Sequence, residues 1–235
     1  MKEILVLAAL LLASPGAWAQ HAAQDLDFVP PAPGTYELQH ILRAPEGTVL
    51  DGEGEAKRFS RFTTGRITVL SLIYTRCGDG QGCPLASHML KSLKGRIDER
   101  PGWSDLLRFV SLSFDPDHDT PAVMRAYGSG YAPDKVGVPW HFLTTRSHRE
   151  LVPLLDGFGQ DVWTPTDPSD AATGRFPHVL KVFLIDRRGS VREIYTTSFL
   201  QPQMVLNDIQ TLLLEEGARL DEVGHPRTVT SSSAR

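Results

Sequence analysis

Two predominantly apolar runs stand out from an otherwise mixed pattern of hydrophobic and polar positions. Arg66–Thr75 (RITVLSLIYT) and Leu107–Phe114 (LRFVSLSF) are short and rich in β-branched and aromatic residues. Runs of that length and composition predict strands buried on both faces. Between them the period lengthens: Leu85, Met89, Leu93 and Ile97 recur every fourth residue and share one face of a helix. Pro84 suits the first position of that helix, where its missing N–H costs nothing. Strand, helix and strand in succession predict a parallel pair joined by a right-handed crossover. Beyond the second run, Asp115–Pro121 (DPDHDTP) breaks the pattern. There Thr120 is placed to cap, and Pro121 to open, a helix reaching about Tyr127.

The remaining elements are shorter. Thr35–Leu42 and Ala56–Phe62 read as strands around a turn-rich Ala44–Gly54 segment, and Pro139–Thr144 as a further strand. Ser147-His148-Arg149-Glu150 matches a capping box ahead of Leu151, Leu154 and Leu155, with Pro153 keeping that helix short or bent. Val179–Ile185 and Val191–Thr196 flank the turn Asp186–Gly189 and predict a hairpin. Gln201–Glu216 carries Val205, Ile209, Leu212 and Leu213 on one face and stops at Gly217. In order this is βαβα, a strand and a helix, then ββα. The expected fold is a thioredoxin-like mixed β-sheet flanked by helices on both faces, with an N-terminal β extension.

The chain ends read differently. Lys2, the apolar stretch Ile4–Ala13 and Ala17-Trp18-Ala19 resemble a secretory signal over residues 1–19, cleaved before Gln20. The stretch is short for a membrane span, which needs about 20 residues, although an uncleaved tether stays open. No cysteine lies beside it to carry a lipid. An exported, periplasmic protein is expected. Residues 20–33 read as a flexible lead-in, 34–216 as one domain, and 217–235 as a disordered polar tail. A formal charge of −4 with both signs interspersed leaves no nucleic-acid footprint.

The chemistry concentrates at the chain's only two cysteines, Cys77 and Cys83, between the first strand and its helix. A structural disulfide closing so small a loop would contribute about 2–2.5 kcal/mol in the chain-entropy model. A core of this size does not need it. Cys83 falls at or beside the helix N-cap, where the dipole and free N–H groups favour a thiolate. A thiolate is both a nucleophile and a soft metal ligand, so a redox site and a metal site both follow. Asp115, Asp117 and Asp119 lack the glycine and bidentate glutamate of a calcium loop and read as turn and capping residues. No hydrolase nucleophile motif is present, and the surroundings of Cys77 lack the pattern of a peroxide-reducing cysteine.

Four segments together resemble the Sco/SenC family of copper-binding, thioredoxin-like proteins, over roughly residues 34–216. They are Thr75-x-Cys77 with Cys83-Pro84, Ser113–Pro121 (SFDPDHDTP), Trp140 with Leu143-Thr144, and His178 ahead of Phe183-Leu184-Ile185-Asp186. The cysteine loop departs from the family, which has three residues between the cysteines where this chain has Gly78-Asp79-Gly80-Gln81-Gly82. Its three glycines keep it pliable. The resemblance implies a copper ligand set of Cys77, Cys83 and His178. Two thiolates favour Cu(I), and an added imidazole lets the set also hold Cu(II). It implies a periplasmic metallochaperone delivering copper to a respiratory cytochrome c oxidase, at a CuA-type centre, or to other periplasmic copper proteins. The client would be membrane-proximal. The alternative is a thiol-disulfide oxidoreductase in which Cys77 attacks a client disulfide and Cys83 resolves it. Copper sensing or storage is a third reading. His88 follows Cys83 by five residues, close enough to tune the thiolate, and His118 lies in the Asp-rich turn after the second strand; His40, His141 and His148 have no local companion.

Overall fold

The computed structural model describes residues 29–80, 82–133, 136–162 and 176–217. The expected signal, lead-in up to residue 28 and polar tail beyond 217 lie outside them. Among the described residues no helix is long and apolar enough to cross a membrane.

The two apolar runs form the centre of a six-stranded sheet. β4 (Ile67–Ile73) and β5 (Leu107–Ser113) are buried at every position and pair in parallel from Ile67↔Leu107 to Ile73↔Ser113. Outward from β5 lies β6 (Trp140–Leu143), also parallel. On the other side, β7 (Val182–Ile185) runs antiparallel to β4, followed by β8 (Ser190–Tyr195) and the two-residue β1 (Leu42–Arg43). The turn between β7 and β8 is made by Gly189 at φ 82°, a conformation open to glycine.

Alternation along the central strands sends side chains to two cores. Ile67, Val69, Phe109, Val182 and Leu184 meet α2 (Cys83–Asp98) and α5 (Pro202–Glu215) on one face. Leu70, Leu72, Val110, Leu112 and Phe183 meet α1 (Ser60–Thr63), α3 (Pro121–Ser129) and α4 (His148–Gly157) on the other. Burial on both faces is why the central strands lack a polar alternation.

Several expectations are corrected. Thr35–Leu42 is strand only at its last residue. Its backbone bonds to α5 and β8 instead: Glu215 Oε1 accepts from Leu38 N at 3.5 Å, and the Arg192 guanidinium donates to Leu38 O at 2.6 Å. Ala56–Phe62 divides into β3 (Ala56–Arg58) and α1, because Phe59 and Phe62 turn inward together. The turn-rich segment contains β2 (Thr48–Leu50), the antiparallel partner of β3. On α2 the buried stripe is Ala86, Leu90, Leu93 and Ile97, while Leu85 and Met89 are only half-buried. The capping box is not made: Ser147 gives α4 no side-chain cap, and Glu150 turns back to Arg146, accepting from its Nη1 at 3.0 Å. Thr120 does cap α3, accepting from Val123 N.

Candidate metal centre

The register of the sheet assembles the site. Because Ile73 pairs with Ser113, the loops leaving β4 and β5 start side by side. Thr75, two residues beyond β4, donates its backbone N–H to Asp119 Oδ2 at 2.9 Å and its hydroxyl to Oδ1. Asp119 is fully buried and also accepts from Ser113 Oγ at 2.6 Å. Arg76 donates from Nη2 to Asp115 Oδ2 at 2.7 Å. The cysteine loop is thus held to the β5–α3 loop before its first cysteine is reached.

Two turns then fold the spacer back. Cys77 N–H donates to Tyr74 O at 3.3 Å and Gly82 N–H to Asp79 O at 3.0 Å. Gly82 is the residue before α2, and a Cβ there would lie 3.3 Å from Cys77 Sγ and 3.4 Å from Asp79 O. Absence of a side chain at Gly82 is what lets Cys77 approach Cys83, the first residue of α2. Both are free thiols, Cys83 wholly buried and Cys77 just reaching the surface.

The two thiols are inequivalent. The hydrogen bond from Cys83 pulls the Cys77 thiol down to about 5, against the opposing effect of its burial. The same hydrogen bond, with burial, drives Cys83 well above its ordinary value. The directions of the two shifts favour charge on the more accessible Cys77, with Cys83 as the donor, where position at the helix N-terminus alone points to Cys83.

His178 completes the cluster. β7 runs antiparallel to β4 with Val182 opposite Ser71, so the chain entering β7 lies beside the C-terminal end of β4. There His178 Nε2 lies 3.6 Å from Cys83 Sγ. Its Nδ1–H donates to Phe176 O at 2.6 Å, which leaves Nε2 as the lone-pair nitrogen facing Cys83 Sγ. Tyr74 and Phe114 stand edge-on to the imidazole, with centroids 5.7 and 4.9 Å away. Burial raises Tyr74 to about 12, so its phenol keeps its proton at neutral pH. A cleft of about 460 Å³ opens onto Tyr74, Cys77, Asp79 and His178. Soft sulfur and imidazole nitrogen meet here in a half-buried, aromatic-walled site, a pairing of donor types that suits copper.

A family model described as SCO1/SenC matches residues 48–214. The chain belongs to the SCO1/SenC family. Its fold is similar to copper-bound ScoI of Arabidopsis thaliana, with TM-score 0.60 and 17% identity over 73% of this chain and 98% of that one. It is similar also to copper-bound ScoI of Bradyrhizobium japonicum, with TM-score 0.55 and 21% identity over 73% and 99%. BsSco, a Sco-family cytochrome c oxidase assembly protein with a disulfide switch, matches with TM-score 0.59 and 18% identity over 75% and 98%. Comparison with curated proteins finds no match.

The other sequence candidates of this Sco/SenC chain fall away from the cluster. Asp115, His118 and Asp119 place ligand-capable atoms within 4.8 Å of one another. Their atoms are already committed: Asp115 to Arg76, Asp119 to Thr75 and Ser113, and His118 Nδ1 to Asp119 Oδ1 at 2.9 Å. The group joins loops. Asp117 is exposed and pairs with His148 at 3.3 Å, His88 is exposed beside Tyr131, and half-buried His141 stands edge-on to Phe62. Sequence reading missed Tyr74, Phe114 and Phe176 as walls of the site, and Asp119 as its anchor. The apolar run ending at Tyr74 was the available signal for the first of these.

Proposed function

We propose that this protein carries one copper ion on Cys77, Cys83 and His178 and delivers it, in the periplasm, to a respiratory cytochrome c oxidase. The observation that carries this reading is the imidazole Nε2 lone pair turned to the Cys83 sulfur at 3.6 Å, with Nδ1 fixed on a backbone carbonyl. Copper is the cargo. The Cys77 thiolate meets it first, Cys83 must give up its proton for the second bond, and His178 supplies nitrogen without losing one. Access to Cys77 from the cleft lets an acceptor's own thiolates take over by ligand exchange, a CuA-type centre being the acceptor the family points to.

Anaerobic titration of the reduced protein with Cu(I), read by mass and X-ray absorption, tests this. One copper per chain with sulfur and nitrogen ligation is expected. Cys77→Ser or Cys83→Ser abolishes tight binding, and His178→Ala alters the Cu(II) spectrum. Wild-type spectra in His178→Ala would remove the histidine from the site.

A thiol-disulfide oxidoreductase is the second reading, favoured by the depressed Cys77 thiol. Cys77 thiolate would attack a client disulfide, and Cys83 would then attack the Cys77 sulfur. That releases the reduced client and leaves a Cys77–Cys83 disulfide. His178→Ala separates the two, since the exchange does not use the imidazole.

A further inference from the structure

Gln160 lies just beyond α4 and is 4% exposed. Its Nε2 donates twice, at 3.1 Å to Asp161 O and at 3.1 Å to Val179 O, so one amide bridges the chain leaving α4 and the chain entering β7. Two further ties join the same strands. Val162 pairs with His178 in an antiparallel bridge, and Lys181 Nζ donates to Gly159 O. Gln160 itself is fixed by its backbone N–H to Leu155 O at 2.9 Å, on the last turn of α4.

Its acceptor tells the same story from the other side. Gln160 Oε1 is buried and has no hydrogen-bond partner among the described residues, and Gln160 lines a cleft of about 280 Å³ with Pro177, His178 and Lys181. An unpaired buried carbonyl oxygen is costly, and an apolar side chain of equal size would fill the space without that cost. What the amide does that methionine cannot is hold Val179, the residue after His178, to the end of a packed helix.

We propose that Gln160 is a positioning residue for His178, setting where the imidazole stands relative to the cysteine sulfurs. The ring's rotation is already fixed by Nδ1–H to Phe176 O, so what remains is the backbone that carries it. The amide fixes that backbone from α4, an element that contributes no ligand. This rests on the reading of His178 as a copper ligand.

The test uses Gln160→Met, which keeps the volume and removes both donors, and Gln160→Glu, which keeps the shape and places an acceptor against Val179 O. In metal-free protein, amide exchange at His178, Val179 and Lys181 should quicken about five- to tenfold, the loss of roughly one hydrogen bond. In the loaded protein the Cu(II) electron paramagnetic resonance spectrum should shift toward that of His178→Ala. Cu(I) affinity, carried by the two thiolates, should change less than about threefold. If Gln160→Met does not fold, Lys181→Met breaks the exposed tie to Gly159 O and reads the same clamp. Unchanged exchange at these amides in every folded variant overturns the proposal, as does a Cu(II) spectrum that stays wild-type while His178→Ala moves it. A spectrum that even His178→Ala leaves unmoved would instead overturn the ligand reading, and amide exchange alone would then decide the clamp.

Discussion

The division of labour between the two thiols is set by a single hydrogen bond. Ordinary free cysteine titrates near 9, so at neutral pH a thiol at about 5 is a thiolate, and its partner, pushed upward, holds the proton. The unfolded chain binds one more proton at Cys77 between these values. The Cys77 contribution to stability is therefore complete above about pH 9 and lost as pH falls toward 5. The upward shift of Cys83 acts oppositely, withdrawing stability as pH rises beyond 9. Alkylation of the reduced, metal-free protein should follow an apparent pKa near 5 at Cys77, and Cys83→Ala, lacking the donor, should move it upward by about two units or more. An unshifted profile in that variant would mean that something other than Cys83 holds the charge. None of this asymmetry was legible from composition. Position relative to the helix pointed to Cys83, and the hydrogen bond between the two sulfurs, with the burial of Cys83, favours the opposite assignment.

At the scale of elements, the cysteine loop depends on the β5–α3 loop more than on its own residues. Asp119 accepts from Thr75 twice and from Ser113 once, so its removal strands a backbone N–H and two hydroxyls inside the fold. Asp119→Ala should cost about 2–4 kcal/mol in urea unfolding and should loosen Cu(I) binding as Thr75 is released. A stability loss with wild-type affinity would show that the spacer holds its cysteines unaided. The sequence made this unit legible as strand, turn and capped helix, since the largely apolar runs and Pro84 and Pro121 are strong local signals. It also placed His178 correctly ahead of β7, through a motif. Weak segments misled. Thr35–Leu42 has strand-like composition, but Leu38 and Gln39 bond to side chains of α5 and β8, which no local pattern encodes. Ser147 and Glu150 have capping-box spacing, and Arg146 takes the carboxylate first.

For the whole molecule, the stretch from Pro31 to Leu38 packs on α5 and β8. Pro31 O accepts from Asn207 Nδ2 at 2.8 Å, Gly34 N–H donates to Thr211, and the Tyr36 hydroxyl reaches Asp208, which Tyr195 also bonds at 2.6 Å. Gly34 packs so closely that a Cβ there would fall 2.7 Å from Leu214. The segment is a strap across α5 on the face of the sheet that α5 shares with α2, and it touches none of Cys77, Cys83 and His178. Its role is therefore separable from copper chemistry. A chain beginning at Glu37 loses three of these hydrogen bonds and uncovers a buried carboxylate, about 2–4 kcal/mol in all. For a domain of this size that lowers Tm by roughly 5–15 °C. Cu(I) stoichiometry and the Cu(II) spectrum should remain those of the longer chain, because β4, β7 and the α4 clamp are intact. Calorimetry paired with Cu(I) titration checks both halves. A truncated protein of unchanged Tm would show that the strap adds nothing to the core, whereas an altered Cu(II) spectrum would mean that α5 transmits its packing through the sheet to His178.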